Sequence, residues 1–294
     1  MRKKTFQNAS VVVLNSLGEI EVMLGSVDFF DDQIDGNVNL STAYREMGST
    51  LKPFLFALAL ESGFSPADEL KDERQSFASE LGSYSPRNYD PHKEYGQVRF
   101  REALAGSYNI SAVALLDKMG VESFYGFLQA IGFRIEKTPA ETGLALVLGS
   151  GESRLIDLVR AFQIFPQKGQ LLPIRFFTSV EDAHENVLFG AKTFYPSSKA
   201  VVSVSTAEWI IHALSDKTAR WSNFPQGNAL ELEFDAMAKT GTSQDFRDNY
   251  VVGASSQYTV GVWAGNADGT PMRASSGLSG AGPIWQGSDA GDSR

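Results

Sequence analysis

The chain has 294 residues, 43% of them hydrophobic and 21% charged, with a formal charge of −9. That length can bury a substantial core in one large domain or two small ones, and a net negative charge with scattered basic residues speaks against a nucleic-acid partner. The absence of cysteine rules out thiol nucleophiles, disulfides and thiolate metal sites. His92, His184 and His212 lie far apart without metal-ligand spacing, so no metal or cofactor is expected. Met1-Arg2-Lys3-Lys4 is basic, but no apolar run follows. No signal peptide or membrane span is read, which leaves a cytoplasmic protein or an excised domain.

Taken in order, residues 10–14 are a β-branched run and residues 19–24 alternate strictly, so the Asn15-Ser16-Leu17-Gly18 turn predicts a β-hairpin with one face buried. Residues 29–47 are polar and loop-like. A helix from Thr50, apolar on every face and so buried, is expected to start at an N-cap Ser49 and to stop at Gly63. Residues 65–97 carry Pro66, Pro86 and Pro91 among charges and tyrosines, the pattern of an extended surface segment that could border a groove.

Helical periodicity follows over 100–106, 110–119 and 121–131, with Gly120 and Gly132 ending the last two. Residues 141–151 are apolar and glycine-ended; Ser153 is expected to cap a helix through Phe165. Strands are read within 171–188, and Thr206 is expected to cap a helix to about Leu214. The last third returns to strand at 236–239, then a hairpin of 249–254 and 258–264 across Ser255-Ser256-Gln257. The Gly/Ser-rich tail over 275–291 reads as turns and frayed terminus. Early and late strands pairing into one antiparallel sheet, with helices inserted between, give an α+β class of α/β-sandwich type.

The chemistry centres on Ser49. Three residues separate it from Lys52, so the two side chains share the first helical turn, at the positive end of the helix dipole. A serine needs a neighbouring base to become a nucleophile, and a desolvated lysine can be that base. Taken alone, the pair reads first as an ordinary N-cap serine beside a solvated lysine. Two further motifs change the weighing: Ser107-Tyr108-Asn109 in a turn between helices, and Lys239-Thr240-Gly241 on a strand, each occurring once.

Together these motifs resemble the signature set of β-lactamases and penicillin-binding proteins, whose middle member in β-lactamases reads Ser-Asp-Asn. Gly48-Ser49-Thr50-Leu51-Lys52-Pro53-Phe54 resembles the class A penicillin-binding proteins. The stretches 238–248 and 261–266 resemble the 1C type most closely. The likeness runs from about Val11 to Trp285. It implies an antiparallel sheet flanked by helices, in one transpeptidase domain over 1–294, with a sheet lobe at about 5–60 and 230–287 and a helical lobe at about 98–220. It also implies a peptidoglycan D,D-transpeptidase that is acylated on Ser49 and blocked by β-lactams. Such proteins carry a membrane anchor and a glycosyltransferase domain that this chain lacks, and they work on the extracytoplasmic face of the membrane.

The resemblance assigns roles residue by residue. Ser49 is the nucleophile and Lys52 its base, Ser107 and Asn109 relay the proton and orient Lys52, and Lys239 is the second cation. Thr240, Gly241 and Thr242 bind the stem peptide along the strand, and the backbone N–H groups of Ser49 and Thr242 form the oxyanion hole. Tyr108 stands where β-lactamases have aspartate.

The alternatives are a serine β-lactamase, a D,D-carboxypeptidase and an inactive sensor that only binds β-lactam or peptide. No Glu-x-x-Leu-Asn pattern for a deacylating base occurs between Asn109 and Lys239, which favours transfer over hydrolysis. Loss of a motif residue would favour the sensor, and none is lost. Elsewhere, Phe29, Phe30 and Trp263 are expected in the core, and Asp245, Arg247 and Asp248 as surface pairs.

Overall fold

A computed structural model describes residues 6–79, 82–190, 197–273 and 275–289. Its centre is an antiparallel sheet. Strand β1 (Asn8–Asn15) turns into β2 (Ile20–Leu24), and the chain rejoins the sheet only in its last third as β3 (Met237–Thr242), β4 (Asp248–Ala254) and β5 (Tyr258–Gly265). The spatial order β3-β4-β5-β1-β2 makes β3 an edge strand among the described residues, so Lys239-Thr240-Gly241 lies along the margin of the sheet.

Between these strands run α1 (Lys52–Glu61), α2 (Phe100–Ala105), α3 (Asn109–Met119), α4 (Val121–Ala130), α5 (Leu155–Phe162) and α6 (Val204–Ser215), and α7 (Ala281–Asp289) follows them. Side chains alternate across a strand, which sends apolar residues to both faces. Val12, Leu14, Val252 and Trp263 join the main core with Phe54, Phe56 and Val159. Val11, Val251, Val260 and Val262 join a second cluster closed by Leu230, Leu232 and Trp285. Helices therefore cover both faces of the sheet, with α5 on one and α7 on the other. The class is α+β, as the sequence predicts.

Several local expectations change. The first hairpin is present, but β1 is buried on both faces because it is an interior strand. Residues before α1 form a 3₁₀ turn, Gly48–Leu51, so Leu51 and not Ser49 is the N-cap of α1. Ser153 does not cap α5: it sits in a short strand, Glu152–Arg154, that pairs with Tyr44–Glu46 in the segment read as loop. Ser203, not Thr206, caps α6, its hydroxyl accepting from the Thr206 N–H.

The segment read as extended folds into two small antiparallel ribbons, Glu69–Asp72 with Gly96–Arg99 and, within the connection between them, Phe77–Ser79 with Gly82–Tyr84. The tail read as frayed forms α7, held by the buried Trp285. Phe29 and Phe30 are not core residues; they are 62% and 88% exposed and pair edge to face on a surface loop. Trp263 is buried as expected. Asp245 and Arg247 do pair at the surface, whereas Asp248 is buried and accepts from Trp263 Nε1. The basic N-terminus over 1–4 and residues 290–291 of the tail lie outside the described residues.

Candidate active site

The 3₁₀ turn explains how Ser49 and Lys52 come together. In that geometry side chains three apart eclipse one another, more closely than in an α-helix. The Thr50 hydroxyl donates to Met47 O at 2.7 Å and the Lys52 N–H to Ser49 O, fixing the turn. Lys52 then opens α1, followed by Pro53 in the first turn, and its side chain is wholly buried. A cleft of about 270 Å³ lies beyond, lined by Ser49, Ser107, Asn109, Thr240 and Thr242. A second, larger cavity, about 850 Å³ between the 77–84 hairpin and residues 139–145, is lined by none of the motif residues.

Lys52 meets the second motif at close range. Its Nζ donates to Ser107 O at 2.7 Å, Tyr108 O at 3.0 Å and Asn109 Oδ1 at 2.7 Å, with Ser107 Oγ at 3.4 Å. Two backbone carbonyls can face one amine because Ser107 takes a left-handed conformation, φ +59°, where α2 ends. A non-glycine residue there stores strain, a common property of functional sites. Asn109 opens α3 and its Nδ2 donates to Arg87 O at 2.8 Å, which turns its Oδ1 toward Lys52.

The third motif completes the cleft. Lys239 Nζ donates to Ser107 Oγ at 2.8 Å and to Thr240 O at 2.9 Å. The Ser107 hydroxyl is thus held between two buried amines. Thr240 and Thr242, two apart on β3, share one side of the strand and both line the cleft. The Thr242 hydroxyl accepts from the Gly277 N–H at 3.0 Å, which aims its own proton elsewhere. Gly241 allows this close approach: a Cβ there would stand 2.5 Å from Met47 O and 2.8 Å from Thr50 Cγ2, and the neighbours would have to shift. Across the contact, Gly48 has φ +57° and lies against the Thr242 backbone, so two glycines let the turn and the strand touch.

Burial and like charge act together on the amines. Desolvation holds Lys52 well below the ordinary lysine range; Lys239 lowers it further and Asp72 opposes both. Lys239 is lowered to about 7, by burial first and then by Arg220, itself brought down to about 10 by burial. A lysine so placed can be neutral near pH 7 and able to accept a proton.

All eight residues expected at the site from the sequence are brought to this one corner. Tyr108 is not a cleft residue: its ring stacks on Tyr95 with centroids 3.8 Å apart, and its hydroxyl, raised to about 12 chiefly by burial, donates to Ser222 Oγ. The sequence reading missed Tyr89, Asn223, Phe224, Pro225, Ser276 and Leu278, which also line the cleft from loops without periodicity. It also missed Asp72, although alternation with the buried Leu70 puts Asp72 on the inward side of its strand, a signal that could have been used.

A model of the penicillin-binding protein transpeptidase domain matches residues 9–270. The chain belongs to that family. It is 31% identical over 278 residues to penicillin-binding protein 1C of Escherichia coli K12, which covers 94% of this chain and 33% of that protein. It is 30% identical over 286 residues to penicillin-binding protein 1B of Vibrio cholerae, covering 95% and 35%. The chain thus spans about a third of the length of these curated relatives. Among solved structures, penicillin-binding protein 1A from Haemophilus influenzae has the same fold, with a TM-score of 0.82 at 23% identity over 98% of this chain and 48% of that one. The class A resemblance read from the motifs is met by relatives of the 1A, 1B and 1C types.

Proposed function

We propose that this domain is a D,D-transpeptidase of peptidoglycan that works through an acyl-enzyme on Ser49. The observation that carries this reading is the Ser107 hydroxyl held between the Lys52 and Lys239 amines beside a cleft that Ser49 also lines. Neutral Lys52 takes the Ser49 proton as Oγ attacks the carbonyl of the penultimate D-Ala in a stem peptide. The oxyanion is received by the N–H groups of Ser49 and Thr242. Ser107, relaying from Lys52, delivers the proton to the leaving amine; the C–N bond breaks and D-Ala departs. Thr240, Thr242 and Lys239 hold the terminal carboxylate, with the peptide lying along the β3 edge past Gly241. An acceptor amine then attacks the ester, and the same relay runs in reverse. β-Lactams enter as mimics of the donor and stop at the acyl-enzyme.

The surroundings of Ser49 favour transfer over hydrolysis. No aspartate or glutamate is among the described residues lining the cleft, so a deacylating water has no carboxylate base. By the same family reading the domain works outside the cytoplasm, as part of a longer chain with an anchor and a glycosyltransferase domain. No helix among the described residues is long and apolar enough to cross a membrane. The test is incubation with a D-Ala-D-Ala stem peptide and an excess of an amine acceptor. Cross-linked product exceeding hydrolysed peptide is expected. Hydrolysis alone would make the domain a carboxypeptidase.

A further inference from the structure

We propose that Asp72 and Asn88 are positioning residues for the acylation step, holding Asn109 in the orientation that receives the Lys52 amine. The inference rests on the reading of Ser49 and Lys52 given above. Neither residue touches the cleft, and both are buried. Asp72 ends the strand Glu69–Asp72 and turns its carboxylate to the start of α3, where Oδ2 accepts from the Ser111 N–H at 3.0 Å. Its Oδ1 accepts from Asn88 Nδ2 and, at 3.3 Å, from the Tyr95 N–H. Asn88 in turn accepts with Oδ1 from the Asn109 N–H at 2.7 Å, and its Nδ2 also donates to Lys93 O.

These bonds form one path. Asp72 fixes which way the Asn88 amide points, because only its Nδ2 end can donate to a carboxylate. Asn88 then offers its oxygen to the Asn109 backbone, while the neighbouring Arg87 O takes the Asn109 side-chain donor. With the amide of Asn109 so oriented, its Oδ1 is the end left for Lys52, at 2.7 Å. A buried carboxylate at a helix N-terminus is also electrostatically favourable there, so the anchor of the network holds itself in place. An ordinary brace for α3 would need only the bond to Ser111. The further steps, through Asn88 to both the backbone and the carbonyl neighbour of Asn109, are what reach the base.

The charged groups facing Lys52 are Lys239 from β3 and Asp72, and Arg220 faces Lys239 in turn; Tyr95 and Tyr108 share the field of Asp72. Asp72 is thus the carboxylate that keeps the Lys52 proton affinity from falling further.

The test measures the rate of Ser49 labelling by a reporter penicillin against pH, with melting temperature alongside, for Asp72→Asn, Asn88→Ala and the swap Asp72→Asn/Asn88→Asp. Each single variant is expected to label ~10-fold more slowly or worse, since misplacement of a catalytic group by an ångström has effects of that size. In Asp72→Asn the acid-side midpoint of the profile moves to lower pH by on the order of one unit, because a negative charge near Lys52 is gone. The swap restores a donor opposite a carboxylate and returns a charge to the network, so several-fold of the rate and the acid-side midpoint should both come back.

Native rates and profiles in the single variants would overturn the proposal, as would losses that merely track melting temperature with no recovery in the swap. If the native chain is not labelled at Ser49, the proposed function fails by itself. The NMR titration of the Lys52 side chain in native and Asp72→Asn protein then decides the inference, since an unmoved midpoint removes Asp72 from the path.

Discussion

The two walls of the cleft are built on different principles. The helical wall buries its polar groups: Lys52 is enclosed in α1 and makes close bonds to Ser107, Tyr108 and Asn109, with Asp72 and Asn88 behind them. The strand wall presents an edge: among the described residues β3 pairs with β4 alone, its threonines line the cleft, and it touches the other wall through two glycines. One wall sets proton affinities by excluding water. The other offers a strand edge as a template. In the proposed reaction the first does acid–base work and the second aligns the peptide, and Lys239 is the group that belongs to both.

Lys52→Met breaks the helical wall most directly. It removes the proposed base and leaves two backbone carbonyls and Asn109 Oδ1 without their donor, so Ser49 acylation should fall by ~10²–10⁴-fold. Stopped-flow labelling with a reporter penicillin measures it; a fall below tenfold would assign the base elsewhere. Gly241→Ala tests the strand wall. Its new methyl overlaps Met47 O and Thr50 Cγ2, and ~1–3 kcal/mol of stability should be lost in urea unfolding, with slower acylation as the turn retreats from β3.

The pH dependence separates the walls more finely. An unfolded lysine titrates near 10.4, whereas Lys239 in the fold titrates at about 7. Between those values the unfolded chain binds more protons than the folded one, so this group makes stability rise with pH across the window, and its burial is most unfavourable below it. Lys239→Met should therefore flatten the change in melting temperature between pH 7 and 9 relative to the native chain. An equal slope in both would mean that Lys239 is not depressed.

The smallest effect is expected at the cleft mouth, where the exposed Tyr89 and Phe246 rings meet edge to face at 6.3 Å. Tyr89→Ala should change stability by less than ~1 kcal/mol and act on the concentration dependence of labelling more than on its maximal rate. The reverse would give Tyr89 a part in the chemistry.

What could be read in the sequence divides along the same line. Helices α2 to α4, the hairpin of β4 and β5 and the pairing of early with late strands followed from periodicity and glycine punctuation. The three motifs followed from residue types at fixed spacing, and they lie together in the fold. Pairings between distant short strands did not follow: Tyr44–Glu46 and Glu152–Arg154 are each three residues long, too short for a local pattern. The α7 helix was hidden because its Gly and Ser residues have poor helix propensity, and burial of Trp285 against the sheet overrides that preference. Phe29 and Phe30 misled because apolar character says nothing about which loops cross the surface. Asp72 and Asn88 lie in a segment whose prolines and charges read as surface; alternation with Leu70 could have turned Asp72 inward, but no local pattern places Asn88 behind the base.

The most direct test of the central claim is intact mass with peptide mapping after incubation with penicillin, on the native chain and on Ser49→Ala. The account predicts one covalent penicilloyl group on the peptide containing Ser49, lasting hours because no carboxylate is among the described residues lining the cleft, and none in the variant. An adduct that persists in Ser49→Ala, or rapid turnover of the drug with no lasting adduct, would contradict it.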